Sequence, residues 1–207
     1  MKRILCAVLT AALALALCAS AGAEAYTHPT AGFHLTIPEG WLAVDSVNAE
    51  EIVNSGWVSE DLAAMITHLR NALDSSHIVY LYQEEAAEPP FVNMQVELLV
   101  ELDDDITLDD LLAIVQEQEA YCLEDPEHYP GYTVTVPADA EPVDGWLSMG
   151  YLGGVYDMPV YHYRVTISQI FVAIGPQCYS FLLTGEESQT PDAIDDFDDL
   201  LGSFVAP

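Results

Sequence analysis

Val160-Tyr161-His162-Tyr163-Arg164-Val165-Thr166-Ile167-Ser168-Gln169-Ile170-Phe171-Val172-Ala173 is the stretch whose reading decides the fold. Tyr161, Tyr163, Val165, Ile167 and Phe171 all fall on one parity, so an extended chain places them on one face. Gly175-Pro176 is a turn signal, and the apolar run Cys178 to Thr184 follows it at once. Two strands separated by a tight turn pair antiparallel. Upstream, Tyr132 to Val136 and Trp146 to Leu152 read as two further strands. Downstream, Thr190 caps a helix that carries Pro191 in its first position. Ala193, Ile194, Phe197, Leu200 and Leu201 form its apolar stripe, and Gly202 stands just past its end.

The first half of the chain adds matching pieces. Tyr26-Thr27-His28, Pro29-Thr30-Ala31-Gly32 and Phe33-His34-Leu35-Thr36-Ile37 read as strand, turn and strand, a hairpin in which His28 and His34 face each other. After Pro38-Glu39-Gly40, an extended segment resumes at Trp41. Asn48 and Glu51 have the spacing of a capping box for a short helix. A longer helix begins at Ser59, with Leu62, Met65, Ile66, Leu69 and Leu73 on one stripe and His68 and Arg70 off it. His77 to Gln83 is apolar on both faces, as in a central strand. Phe91 to Glu101 alternates, placing Val92, Met94, Val96, Leu98 and Val100 together, and Glu84 to Pro90 is the connection between the two. Thr107 with Asp110 caps another helix, whose face is Leu108, Leu111, Leu112 and Val115.

Neighbouring strands are joined by tight turns and the helices are grouped between them, which predicts an α+β fold with a mainly antiparallel sheet. Phe33, Leu35, Trp41, Val96, Leu98, Val165, Phe171, Phe181, Phe197 and Leu201 are the expected shared core. No repeat or low-complexity linker divides the chain, so residues 24–207 read as one domain.

Residues 1–23 read as a signal peptide. Lys2 and Arg3 precede an apolar run from Ile4 to Ala19, and small residues follow, placing cleavage after Ala23 or Ala25. Cys18 is an alternative lipidation point, although Leu17 stands where a bacterial lipoprotein signal carries a small residue. The expected location is outside the cytoplasm. No later stretch is long and apolar enough for a transmembrane helix.

The chain has 34 acidic and 4 basic residues, for a formal net charge of −30. Loss of Lys2 and Arg3 leaves Arg70 and Arg164 as its only arginines and no lysine. Nucleic acid is therefore excluded as a partner, since phosphate binding needs clustered cations. Another protein, an envelope component, or weakly held divalent cations stay open.

Local chemistry is sparse. Cys122 and Cys178 are the two cysteines after the signal, an even count that suggests one disulfide in an exported protein; two buried thiols are the alternative. Asp103, Asp105, Thr107 and Asp109 imitate a calcium loop, yet Leu108 stands where glycine is needed and Ile114 where a bidentate glutamate belongs. Ser148 lacks the preceding glycine of a nucleophile elbow, because Trp146 holds that place. The histidines lack zinc-site spacing. Trp146, Tyr151, Tyr156, Tyr161 and Tyr163 are aromatics suited either to packing beneath helices or to binding a partner. No catalytic, cofactor or metal residue is expected. A hydrolase assembled from residues distant in sequence is the weaker alternative.

Gly32-Phe33-His34-Leu35-Thr36-Ile37-Pro38-Glu39-Gly40-Trp41 forms one end of a resemblance. Arg164, Gln169, Phe171, Tyr179-Ser180-Phe181-Leu182-Leu183-Thr184, Phe197, Leu200, Leu201 and Ser203-Phe204 form the other. In these the chain resembles the PsbP-like superfamily, which includes bacterial DcrB-like secreted or periplasmic proteins. The resemblance implies a central antiparallel sheet flanked by helices. The members of that superfamily are mostly non-enzymatic modules that bind a larger protein assembly, or have no known role, so the resemblance implies no catalytic signature. The helical region from Asn48 to Ser75 is longer than in the smaller members.

Overall fold

Nine strands and four α-helices are present in a computed structural model that describes residues 23–75, 77–83, 89, 91–143, 147–159 and 162–207. The signal peptide with Cys18, Trp146, Tyr161 and the Glu84 to Glu88 part of the loop lie outside the described residues. Strands β1 (Glu24–Thr27) and β2 (His34–Ile37) form the N-terminal hairpin. Strand β3 (Trp41–Val44) leads to helices α1 (Ala49–Ser55) and α2 (Glu60–Ser75), then to β4 (Ile78–Gln83) and β5 (Asn93–Glu101). Helix α3 (Leu108–Glu124) precedes the long strands β6 (Thr133–Val143), β7 (Leu147–Met158), β8 (Tyr163–Ile174) and β9 (Gln177–Glu186). A 3₁₀ turn (Thr190–Ala193) opens into α4 (Ile194–Gly202).

Seven strands form one sheet in the order β3-β4-β5-β9-β8-β7-β6, and every described pairing in it is antiparallel. The period-2 alternation sends successive side chains to opposite faces, and each face has its own cover. On one face, Val79, Leu81, Met94, Val96, Phe181 and Leu183 meet the β1–β2 hairpin and Phe197 of α4. On the other, α1 and α2 cover Ile78, Tyr80 and Tyr82 of β4. Helix α3 covers Ile167, Phe171 and Ala173 of β8 together with Cys178 of β9. The expected core residues are buried except Leu98 and Leu201, which are half-buried. They do not form one shared core: Phe171 and Phe181 belong to clusters on opposite faces.

Several local expectations change in three dimensions. Asn48 does not cap α1 through its side chain. Its Oδ1 accepts from the Asp45 amide at 2.9 Å, while Asp45 Oδ1 accepts from the amides of Val47 and Asn48. Asp45 thus organises the entry to the helix, in place of the Asn48–Glu51 box. Thr107 and Asp110 do form their capping box. Gly202 closes α4 instead of following it, and Ile194 is exposed because it starts the α-helix just after the 3₁₀ turn has reset the phase.

The alternation of β5 is broken by a bulge between Leu98 and Val100. Leu98 packs with the hairpin-side cluster and Val100 with the α3-side cluster, so the expected single face from Val92 to Val100 divides there. Gly154 on β7 lies beneath the ring of Tyr132, and any Cβ at that position would overlap the ring. The sheet edges are also protected. Strand β3 has four residues, and β6 carries Pro137 and Pro142, which cannot donate to an added strand.

Candidate protein-binding groove

Helix α2 packs over β4 and α3 packs over β6, β7 and β8, so β5 and β9 run between the two helical covers. Asn93, Gln95 and Glu97 project from β5 on this side and are half-buried. Burial holds the Glu97 carboxyl above the usual carboxylate range. Deeper in the sheet, Gln169 Nε2 donates to Ser180 Oγ at 2.8 Å, which satisfies a buried polar pair.

The bulge decides what happens next along β5. It leaves Leu99 as the extra residue opposite no partner on β9, 37 % exposed, and turns Val100 toward α3. Ile114, Gln118 and Tyr121 lie at i, i+4 and i+7 on α3 and face the same space. The result is a groove of about 440 Å³, lined by Leu99, Val100, Ile114, Glu117, Gln118 and Tyr121. Tyr121 is 50 % exposed, and Leu102 and Leu123 nearby in sequence are also exposed. The Asp125 charge beside Tyr121 pushes its hydroxyl pKa up, and Asp125 Oδ2 also lies 2.8 Å from His128 Nδ1. Helix α3 has no basic residue in its last turn to offset the negative end of its dipole.

Two other hollows are more polar. One, of about 580 Å³, lies at the β7–β8 turn beside Asp157, His162 and Arg164. Its arginine already spans Asp157 at 3.6 Å and Glu187 at 3.3 Å. The other, of about 630 Å³, is bordered by Glu39, Asp196, Asp198 and Asp199. Among the described residues, no three His, Cys, Asp or Glu side chains are placed to hold a metal ion.

The residues singled out in the sequence are dispersed. Cys122 and Cys178 are buried in the α3-side cluster, but as free thiols; the expected disulfide is not formed. Their apolar surroundings are the physical reason they act as small hydrophobic residues, and burial pushes the Cys178 thiol up to about 12. His28 and His34 do not face each other. His34 stands opposite Thr27, with its Nδ1 2.7 Å from the Thr27 hydroxyl, whereas His28 is buried in the hairpin turn. Ser148 is a β7 strand residue registered between Pro142 and Ala173. Of the aromatics, Tyr156 packs edge-on against Tyr129 with centroids 5.3 Å apart. The groove itself had one sequence signal, the unbroken apolar triplet Leu98-Leu99-Val100 at the end of an alternating strand.

No protein-family model and no curated protein matches the sequence. Solved structures do match in shape. Cyanobacterial PsbP (CyanoP) from Synechocystis sp. PCC 6803 is similar over 91 % of this chain and 94 % of that one, with 17 % identity and a TM-score of 0.53. A protein from Bacteroides thetaiotaomicron is similar over 91 % of this chain, with 10 % identity and a TM-score of 0.50; the chain spans 49 % of that protein. No helix among the described residues is long and apolar enough to cross a membrane. The antiparallel seven-stranded sheet with helices against it has the α+β architecture of the PsbP-type fold.

Proposed function

We propose that this protein is a secreted, non-enzymatic module that docks another protein or an envelope component through the groove between β5 and α3. The observation that carries the reading is the exposed pair Leu99 and Tyr121, large apolar side chains held at the mouth of a groove on an otherwise acidic molecule. Apolar surface rimmed by polar residues is the usual mark of an interaction site. The export-type N-terminus supports an encounter outside the cytoplasm. The Gly32 to Trp41 opening and the Tyr179 to Phe204 ending support a place among bacterial DcrB-like proteins.

The test is photocrosslinking in the producing cell. A benzophenone amino acid at Leu99 or Tyr121 should give a discrete adduct with one protein, and the same probe at Trp57, exposed on the α1–α2 connection, should not. Adducts from Trp57 with none from Leu99 or Tyr121 would reject the groove as the docking site.

A further inference from the structure

We infer that the groove receives a short cationic amphipathic segment of a partner protein, with apolar side chains seated between Leu99, Ile114 and Tyr121 and Lys or Arg side chains over the rim. This rests on the protein-docking reading above and names the partner's chemistry.

The groove lies over the face of the sheet, between β5 and α3, and its walls are side chains of both elements. Strand β5 is paired with β9 as far as Glu101, while its register with β4 ends at Glu97. A partner that enters between β5 and α3 therefore does so by side-chain insertion. Ile114, Gln118 and Tyr121 span about 10 Å along α3, at 1.5 Å per residue. That length matches two or three apolar anchors on one face of a partner helix.

The charge comes from the same two elements. Neither β5 nor α3 contains a lysine or arginine. Glu117 lies in the groove lining, Glu101 ends β5, and Asp125 acts on Tyr121. At the Tyr121 end, the carbonyl terminus of α3 adds a partial negative charge that no basic residue of its last turn offsets. A cationic segment is favoured by all of these groups. A second copy of this chain would bring Glu117 and Glu101 against like charges, and an anionic lipid surface would meet the same repulsion.

The test uses the full chain and three labelled peptides, read by fluorescence anisotropy. The first is a helix-forming peptide of leucine and lysine with all leucines on one face. The second has the same composition scrambled, so it keeps the charge and loses the face. The third carries glutamine in place of every lysine. The first should bind about tenfold tighter than each of the others. Its advantage over the scrambled peptide should vanish in the Leu99→Ser/Tyr121→Ser variant, which keeps the net charge. Both residues are exposed in the native protein; should the double variant melt early, Tyr121→Ser alone replaces it. Equal binding of the first two peptides, or an advantage that survives the substitutions, would overturn both the partner class and the docking groove. Equal binding of the glutamine peptide, still lost in the variant, would overturn the cationic partner and leave the docking groove standing. Sedimentation that shows a dimer lost on Tyr121→Ser would assign the groove to a second copy and reject the inference.

Discussion

His28 Nε2 lies 3.3 Å from the carbonyl oxygen of Ile78, tying the turn of the N-terminal hairpin to a strand of the main sheet. The other ring nitrogen, Nδ1, accepts from the amides of Ala31 at 3.0 Å and Thr30 at 3.4 Å. Two donors on Nδ1 require that it carry no proton, so the hydrogen sits on Nε2 and is donated to Ile78. Burial lowers the pKa of the imidazole and holds it neutral, against the Ile78 carbonyl and the Asp45 charge, which favour the protonated form. Tyr26, Asp45 and His77 surround it, with the Tyr26 hydroxyl donating to Asp45 at 2.7 Å.

The pH dependence follows from that geometry. His28 has a lower pKa folded than unfolded, so the unfolded chain takes up the proton first as pH falls. Its contribution to stability is complete above the ordinary histidine value of about 6.5 and is lost progressively below it, down to the lowered folded value. Glu97 works in the opposite direction: its raised folded value favours the fold as pH falls through it. Melting temperatures recorded across this window should fall less steeply for His28→Gln than for the wild type, with Glu97→Gln as the variant that removes the compensating gain. Identical slopes for wild type and His28→Gln would contradict the lock.

Phe197 anchors α4 on the hairpin-side cluster and is 3 % exposed. Phe197→Ala should cost about 3–5 kcal/mol, because the removed ring leaves a cavity that the sheet cannot close. Urea denaturation measures this directly. A loss below about 1 kcal/mol would mean that the helix is not packed as described.

Thr107→Ala should cost about 1 kcal/mol, since the Asp110 amide loses its acceptor at the start of α3. The Asp110 carboxylate accepts from the Thr107 hydroxyl and amide, which lowers its pKa. The stability it contributes is therefore present above the ordinary carboxylate range and lost as pH falls through the lowered value. The Asp110→Asn and Thr107→Ala effects should be non-additive in chemical denaturation, because the two residues form one reciprocal cap.

Cys122 and Cys178 should resist iodoacetamide in the folded protein and react completely in guanidinium without reductant. Burial raises both thiols above their ordinary value, so little thiolate is present at neutral pH. Peptide mass analysis reads both states. Failure to react after unfolding would show a bridge.

Much of this protein was legible one segment at a time. The alternation through Val165, Ile167 and Phe171, the turn at Gly175-Pro176, the stripe of Leu62, Ile66 and Leu73 and the Thr107–Asp110 cap are all short-range, so they stand in the sequence as they stand in the fold. Backbone periodicity and hydrogen bonds over a few residues specify them without reference to the rest of the chain. Tertiary structure decided which faces meet. It placed Phe171 and Phe181 on opposite sides of one sheet and buried His28 against Ile78. It also turned Val100 away from the face that Leu98 shares and opened the groove at Leu99. A bulge is an extra residue relative to the partner strand, so it exists only once β5 has found β9, and no period within β5 alone can reveal it.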